Sequence, residues 1–248
     1  FETIKVLQNK PLLLDAHFSR LILGCERLGF PINGLIERFN LDIRDLIALN
    51  PHPLAVLKLT VTRGAGPRGY FPTSNLLPTT ISSISQASDF VHKATEGIVL
   101  RWCQTPLSIN PLLAGIKHLN RLEQVLARKE WDCADISEGL MKDAEGFLIE
   151  GTMSNLFWVE GGRLYTPALE RCGIAGVLRQ TLIDIAVREN IPVQTGRFTE
   201  TALSSAEEVF MCNSLIDIWP VRKLGSMEWK IGSLTRRLQA LLKEEYSV

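Results

Sequence analysis

Leu113-Ala114-Gly115-Ile116-Lys117-His118-Leu119-Asn120-Arg121-Leu122-Glu123-Gln124-Val125-Leu126-Ala127-Arg128 is the stretch on which the reading of this chain turns. Asn110, Pro111 and Gly115 mark the residues before Lys117 as a loop. Leu119, Leu122, Val125 and Leu126 then recur at helical spacing and form one apolar face of an amphipathic helix. Lys117 therefore stands at a loop–helix junction, where a rigid neighbour can hold an ammonium over a cleft. By residue type alone it reads as a solvated charge, and His118 as a side chain packing at the helix start.

Outward from this stretch, the C-terminal side is built of paired strands. Glu138 to Asp143 and Phe147 to Glu150 make a hairpin about Ala144-Glu145-Gly146. Leu156 to Glu160 and Arg163 to Thr166 make another across Gly161-Gly162. Glu150, at a strand end, reads by itself as a surface carboxylate. Cys172-Gly173-Ile174-Ala175-Gly176 opens a helix with apolar positions Leu178, Leu182, Ile185 and Ala186, and a helix start of that kind offers N–H groups to an anion. A strand at Glu208 to Cys212 runs into Asn213-Ser214. A strand at Ile216 to Val221 and a helix from Gly232 to Glu245 follow.

On the N-terminal side, Thr3 to Leu7 reads as a strand. Asp15 is placed to cap a helix carrying Phe18, Leu21, Ile22, Cys25 and Leu28 inward, which leaves Arg20 off the stripe and solvated. A polar-amphipathic helix over 34–50 and a β-branched strand from Ala55 to Thr62 come next. Arg63-Gly64-Ala65-Gly66-Pro67-Arg68-Gly69-Tyr70 is a glycine-rich loop without the order of a phosphate-binding P-loop, and it offers Arg68 to a substrate carboxylate. Thr79 to Ser85 and Gly97 to Gln104 read as strands. The pattern predicts an α+β chain in two domains, residues 1–105 and 113–248, joined by a proline-containing linker at 106–112.

Composition narrows the function. Twenty-seven basic residues balance 27 acidic ones with no basic run, which argues against a nucleic-acid partner or an anionic membrane surface. No apolar run approaches the ~18 residues of a membrane helix. The five cysteines are odd in number, dispersed and without a C-x-x-C pair, as expected of reduced thiols in a cytoplasmic protein. The four histidines show no ligand spacing, so no metal site is expected.

Ile116 to Arg128 resembles the cofactor-lysine segment of the 4-amino-4-deoxychorismate lyases, within the fold-type IV pyridoxal-phosphate family that includes the D-amino-acid and branched-chain aminotransferases. Glu150-Gly151-Thr152-Met153-Ser154-Asn155-Leu156-Phe157 resembles the second signature of that family. The resemblance spans essentially the whole chain. It implies a two-domain fold with pyridoxal 5'-phosphate in the cleft between the domains, a homodimer, and about twenty residues, a short strand and a glycine-rich turn, ahead of Phe1.

The same resemblance assigns roles. Lys117 holds the cofactor covalently and then acts as general base. Glu150 bonds the ring nitrogen and keeps it protonated. Arg20, in Ala16-His17-Phe18-Ser19-Arg20-Leu21, clamps the phosphate with a fixed fork of donors. Val177 and Leu178 amides, Asn213 and Ser214 are further phosphate contacts, and Asn155 a further cofactor contact. Arg68 and, less centrally, Arg121 meet substrate carboxylates. The implied reaction converts 4-amino-4-deoxychorismate to 4-aminobenzoate and pyruvate, toward folate. An aminotransferase would use the same Lys117, Glu150 and Arg20, but Lys117-His118-Leu119-Asn120-Arg121 and Pro67-Arg68-Gly69-Tyr70 are closer to the lyases. A non-catalytic binding protein that keeps the fold would have little use for an intact Lys117 and Glu150.

Overall fold

The structure is a computed structural model that describes residues 1–72 and 77–246. It divides into two compact units. The first is Phe1–Asp89 with Lys117–Leu119, the second Phe90–Ile116 with Asn120–Val248. The expected linker at 106–112 and the strand before it thus lie inside the second unit, where the Leu107 amide donates to the Lys142 carbonyl.

The first unit contains β1 (Glu2–Leu7), β2 (Lys10–Pro11), α1 (Leu14–Arg27), α2 (Leu35–Leu49), β3 (Leu54–Thr62) and β4 (Thr79–Gln86). Its antiparallel sheet runs β2-β1-β3-β4. Alternation sends Ala55, Leu57, Leu59 and Val61 inward from β3, with Ile4 and Val6 from β1 opposite Leu57 and Ala55. Phe18, Leu21 and Cys25 of α1 and Phe39 and Ile43 of α2 complete this core. Glu2 falls in the same inward row, opposite Leu59, so the period of two carries a carboxylate into the interior.

Asp15 is not the cap of α1. Leu13 is, in a left-handed conformation (φ 53°), and no side chain caps the helix. Leu12 is buried and its amide donates to the Lys5 carbonyl, so the chain turns into the helix ahead of Asp15. Asp15 instead lies in the first turn, where its charge suits the helix dipole.

The second unit contains α3 (Val91–Glu96), β5 (Ile98–Trp102), α4 (Leu122–Arg128), β6 (Ile136–Lys142), β7 (Leu148–Gly151), β8 (Asn155–Glu160), β9 (Arg163–Pro167), α5 (Val177–Arg188), β10 (Val193–Gly196), a 3-10 turn at Glu200–Ser204, β11 (Glu208–Asn213), β12 (Asp217–Leu224), β13 (Met227–Glu228) and α6 (Ser233–Glu245). Its strands run β10-β9-β8-β11-β12-β5-β6-β7, and β7 returns to β8 through the pair Glu150–Asn155. That return closes a ring of β8, β11, β12, β5, β6 and β7 around Leu156, Trp158, Met211 and Trp219. The hairpin from β8 to β9 turns at Gly161 and Gly162, both with positive φ (57° and 71°), a conformation that glycine adopts without strain.

The helix expected after Asn120 is short, and its apolar stripe is not core. Ala127 is its buried residue. Leu122, Val125 and Leu126 are 70%, 59% and 56% exposed, and Leu119 before the helix is 53% exposed. Helical spacing identifies a face but not what covers it.

Candidate active site

The closing pair of the ring brings two expected site residues together. Glu150 is 3% exposed, not a surface carboxylate, because β7 is buried along its whole length. Its Oε2 accepts from the Ile174 amide at 2.8 Å and from Asn155 Nδ2 at 3.4 Å. Asn155 Nδ2 also donates to the Ile174 carbonyl at 3.0 Å. The 173–176 segment needs its glycines here. Gly173 has φ 83°, and a Cβ on it would sit 2.8 Å from Ile149; a Cβ on Gly176 would run into Asn155 Oδ1.

Directly after Gly176, α5 begins with Val177 and Leu178. Their side chains are buried, and their amides belong to the first turn, where N–H groups have no partner within the helix. On the other side of β8, Asn155 is opposite Cys212 of β11, so the Asn213-Ser214 turn follows immediately. Asn213 does not present a free side chain. Its Oδ1 accepts from the Leu215 and Ile216 amides at 2.8 and 3.0 Å, and its Nδ2 donates to the Met153 carbonyl at 2.9 Å. Ser214 is half-buried in the turn. The second unit thus gathers Glu150, Asn155, the start of α5 and Asn213-Ser214.

The loop before Lys117 is stitched to the same segment. Gly115 (φ 79°) donates to the Gly173 carbonyl at 2.9 Å and accepts from the Ala175 amide at 3.2 Å. Gly115 also bridges to Ile174, whose amide holds the Glu150 carboxylate. Arg121 donates to the Ile116 carbonyl at 3.3 Å. Burial draws its guanidinium below the usual value, while the charges of Glu150 and Glu123 pull it back up.

In the first unit, the Lys117 ammonium lies 4.5 Å from the centre of the Phe1 ring, and the Phe1 nitrogen donates to the Lys117 carbonyl at 2.9 Å. Arg20 is not the solvated arginine that its helix position suggests. Its side chain is 12% exposed, and its Nε and Nη2 both donate to the Glu2 carboxylate, the Nε bond being 2.9 Å. His17, fully buried, shares a 2.6 Å hydrogen bond between Nδ1 and Glu2 Oε2. Burial pushes the Glu2 carboxyl up, but the bonds and charges of His17 and Arg20 outweigh it and hold the group at about 2. Arg68 is exposed in the loop after β3, and among the described residues it has no hydrogen-bond or ion-pair partner.

Glu2, His17 and, in the second unit, Glu138 escaped the sequence reading. The available signal was a charged or polar residue at an inward position: Glu2 in the β1 alternation, His17 next to Phe18 on the buried stripe, and Glu138 directly before the apolar Gly139-Leu140-Met141. Among the described residues, no group of His, Cys, Asp and Glu is placed to hold a metal ion, and no helix is long and apolar enough to cross a membrane.

A family model described as amino-transferase class IV matches residues 1–224. An aminodeoxychorismate lyase of Vibrio harveyi is 42% identical over 247 residues, which is 98% of this chain and 90% of that protein. The crystal structure of 4-amino-4-deoxychorismate lyase from Pseudomonas aeruginosa matches with a TM-score of 0.93 and 43% identity, covering 100% of this chain and 90% of that one. A D-alanine aminotransferase of Staphylococcus epidermidis is 28% identical over 243 residues, 96% of this chain and 85% of its own length.

Proposed function

The chain belongs to the class IV aminotransferase family, and from that premise we propose that it is a pyridoxal 5'-phosphate-dependent lyase that splits 4-amino-4-deoxychorismate into 4-aminobenzoate and pyruvate, a step toward folate. The observation that carries this reading is 42% identity across 98% of the chain to a relative that bears the lyase name, against 28% to the aminotransferase of Staphylococcus epidermidis.

The donor set fits the cofactor. Glu150 is a buried carboxylate whose Oε2 is set by the Ile174 amide and Asn155, and such a carboxylate suits a protonated ring nitrogen. The α5 amides of Val177 and Leu178, with Ser214 and the backbone at Asn213, offer an anion site of the kind a phosphate takes. Arg20 brings a guanidinium pre-oriented by Glu2, and Asn155 braces the Glu150 carboxylate and the Ile174 backbone. When bound, the cofactor supplies an electron sink for the charge left by breaking a C–H bond next to nitrogen.

Lys117 would hold the cofactor through its Nζ and would serve as the base that takes the proton from the substrate carbon bearing the amine. Glu150 would hold a proton on the ring nitrogen. With that proton gone, the C–O bond to the enolpyruvyl group would break, enolpyruvate would leave with the bonding pair and take up a proton to become pyruvate, and the six-membered ring would become aromatic. Arg68 and Arg121 are the groups assigned to substrate carboxylates.

A homodimer in the cytoplasm completes the reading. Leu122, Val125 and Leu126 on α4, with Leu119 and the 83% exposed Leu112, offer apolar surface of the kind a second copy buries, and all five cysteines are free thiols, four of them buried. The deciding assay incubates the protein with aminodeoxychorismate and no 2-oxo acid. Release of fluorescent 4-aminobenzoate and pyruvate is expected. Turnover only with an added 2-oxo acid, and no aromatic product, overturns the assignment in favour of an aminotransferase.

A further inference from the structure

Glu138 sits on β6, is 1% exposed, and points at the turn that joins β7 to β8. Its Oε1 accepts from the Gly139 and Thr152 amides at 2.8 and 3.1 Å and from the Thr152 hydroxyl at 2.5 Å. Its Oε2 accepts from the Met153 amide at 3.2 Å and the Ser154 hydroxyl at 2.8 Å. Every donor is neutral, so a buried negative charge is held by hydrogen bonds alone, with no cation among them. Such a group is costly to bury unless each lone pair is used, and here they are.

The turn it holds is flanked by two site residues. Thr152 is two residues after Glu150, and Ser154 immediately precedes Asn155. The middle of the turn is tied a second time, since the Met153 carbonyl accepts from Asn213 Nδ2 at 2.9 Å. One carboxylate therefore fixes a segment whose ends carry Glu150 and Asn155 and whose centre anchors the Asn213-Ser214 corner. Gly151 is part of the same device. A Cβ there would lie 2.5 Å from Ser154 Oγ and 3.0 Å from Glu138 Cδ, so a side chain would push the carboxylate off the turn.

We infer that Glu138 is a positioning residue for the cofactor: through the 152–154 turn it sets the Glu150 carboxylate and the Asn213-Ser214 corner in register with each other. The inference rests on the cofactor reading above and goes beyond it, since Glu138 itself touches none of the assigned groups. An amide in its place cannot serve. Whichever oxygen is replaced, the NH2 faces a backbone N–H that cannot accept from it: Gly139 and Thr152 at Oε1, Met153 at Oε2.

Glu208 supplies a matched control. It is also a buried carboxylate held by neutral donors, the Leu234 and Thr235 amides and the Thr235 hydroxyl, but it closes the start of α6. Both Glu138→Gln and Glu208→Gln should lower the melting temperature. The test titrates each apoprotein with pyridoxal phosphate, following bound cofactor by absorbance and recording the pH midpoint of its visible band. Glu138→Gln should raise the dissociation constant about tenfold or more and move the midpoint, while Glu208→Gln leaves both within about twofold. Should Glu138→Gln not fold, Thr152→Val, which removes one hydroxyl donor, is read in the same way for a smaller loss in affinity and the same direction of midpoint shift. Unchanged binding in the variant at Glu138 or Thr152, or equal weakening in the Glu208 control, overturns the positioning role. Wild-type protein that binds no pyridoxal phosphate defeats the cofactor reading itself, and this inference with it.

Discussion

Replacing Glu2 with glutamine keeps the shape of the side chain and removes its charge, which isolates what the buried carboxylate contributes to the first unit. In the wild type, the carboxyl is held at about 2 instead of the ordinary 4.5, because bonds and charges from His17 and Arg20 outweigh its burial. At ~1.4 kcal/mol for each pH unit, that difference corresponds to about 3 kcal/mol of stability at neutral pH. The sign follows from proton binding. The unfolded chain protonates Glu2 near 4.5 and the folded chain only near 2, so the contribution is complete above 4.5 and lost as pH falls toward 2.

His17 acts in the same direction at higher pH. Burial lowers its protonation range, with Glu2 raising it and the charges of Arg20 and Lys117 lowering it further, so stability is also lost as pH drops below the ordinary 6.5. Two readings separate the groups. Urea unfolding at pH 7 should find Glu2→Gln less stable by about 3 kcal/mol. An NMR titration of the His17 ring should show its midpoint moving to lower pH in the variant, since the negative charge that favours the protonated ring is gone. A stability loss under about 1 kcal/mol, or a midpoint that moves up, refutes the account of a carboxylate that anchors both neighbours.

Arg20→Lys retains the charge but not the fork, and should weaken pyridoxal-phosphate binding by about 2 kcal/mol in a titration of the apoprotein; an unchanged dissociation constant removes Arg20 from the phosphate site. Borohydride reduction of the cofactor-loaded protein followed by peptide mapping should place the label on Lys117, and label on Lys58 or Lys129 contradicts the assignment. Leu122→Glu together with Val125→Glu puts charge on the exposed α4 face; sedimentation should show a dimeric wild type and a monomeric variant, whereas a variant as dimeric as the wild type moves the interface elsewhere. Gly176→Ala should lower cofactor affinity, because its methyl displaces Asn155 from the Ile174 carbonyl while the backbone there (φ −63°) tolerates alanine without strain.

The strands and helices were readable because each leaves a local trace. The two glycines of the β8–β9 turn, the period of two along β3 and the helical spacing in α1 all report neighbours close in sequence. Family motifs added Lys117 and Glu150, which periodicity treats as ordinary surface charges. What stayed hidden depends on partners far along the chain. Arg20 looks solvated on a helical wheel because the wheel cannot show Glu2, brought inward by the register that sets it opposite Leu59. Glu138 opens the buried part of β6, and nothing nearby in sequence says that the donors answering it are at 152–154. The apolar face of α4 misled in the opposite sense: Leu122, Val125 and Leu126 carry the pattern of a core helix and lie open. Hydrophobic spacing marks a face and leaves open what lies against it. In this chain, Arg20 and Glu138 were hidden because their environment is made by another segment, and both are residues that the proposed chemistry depends on for its geometry.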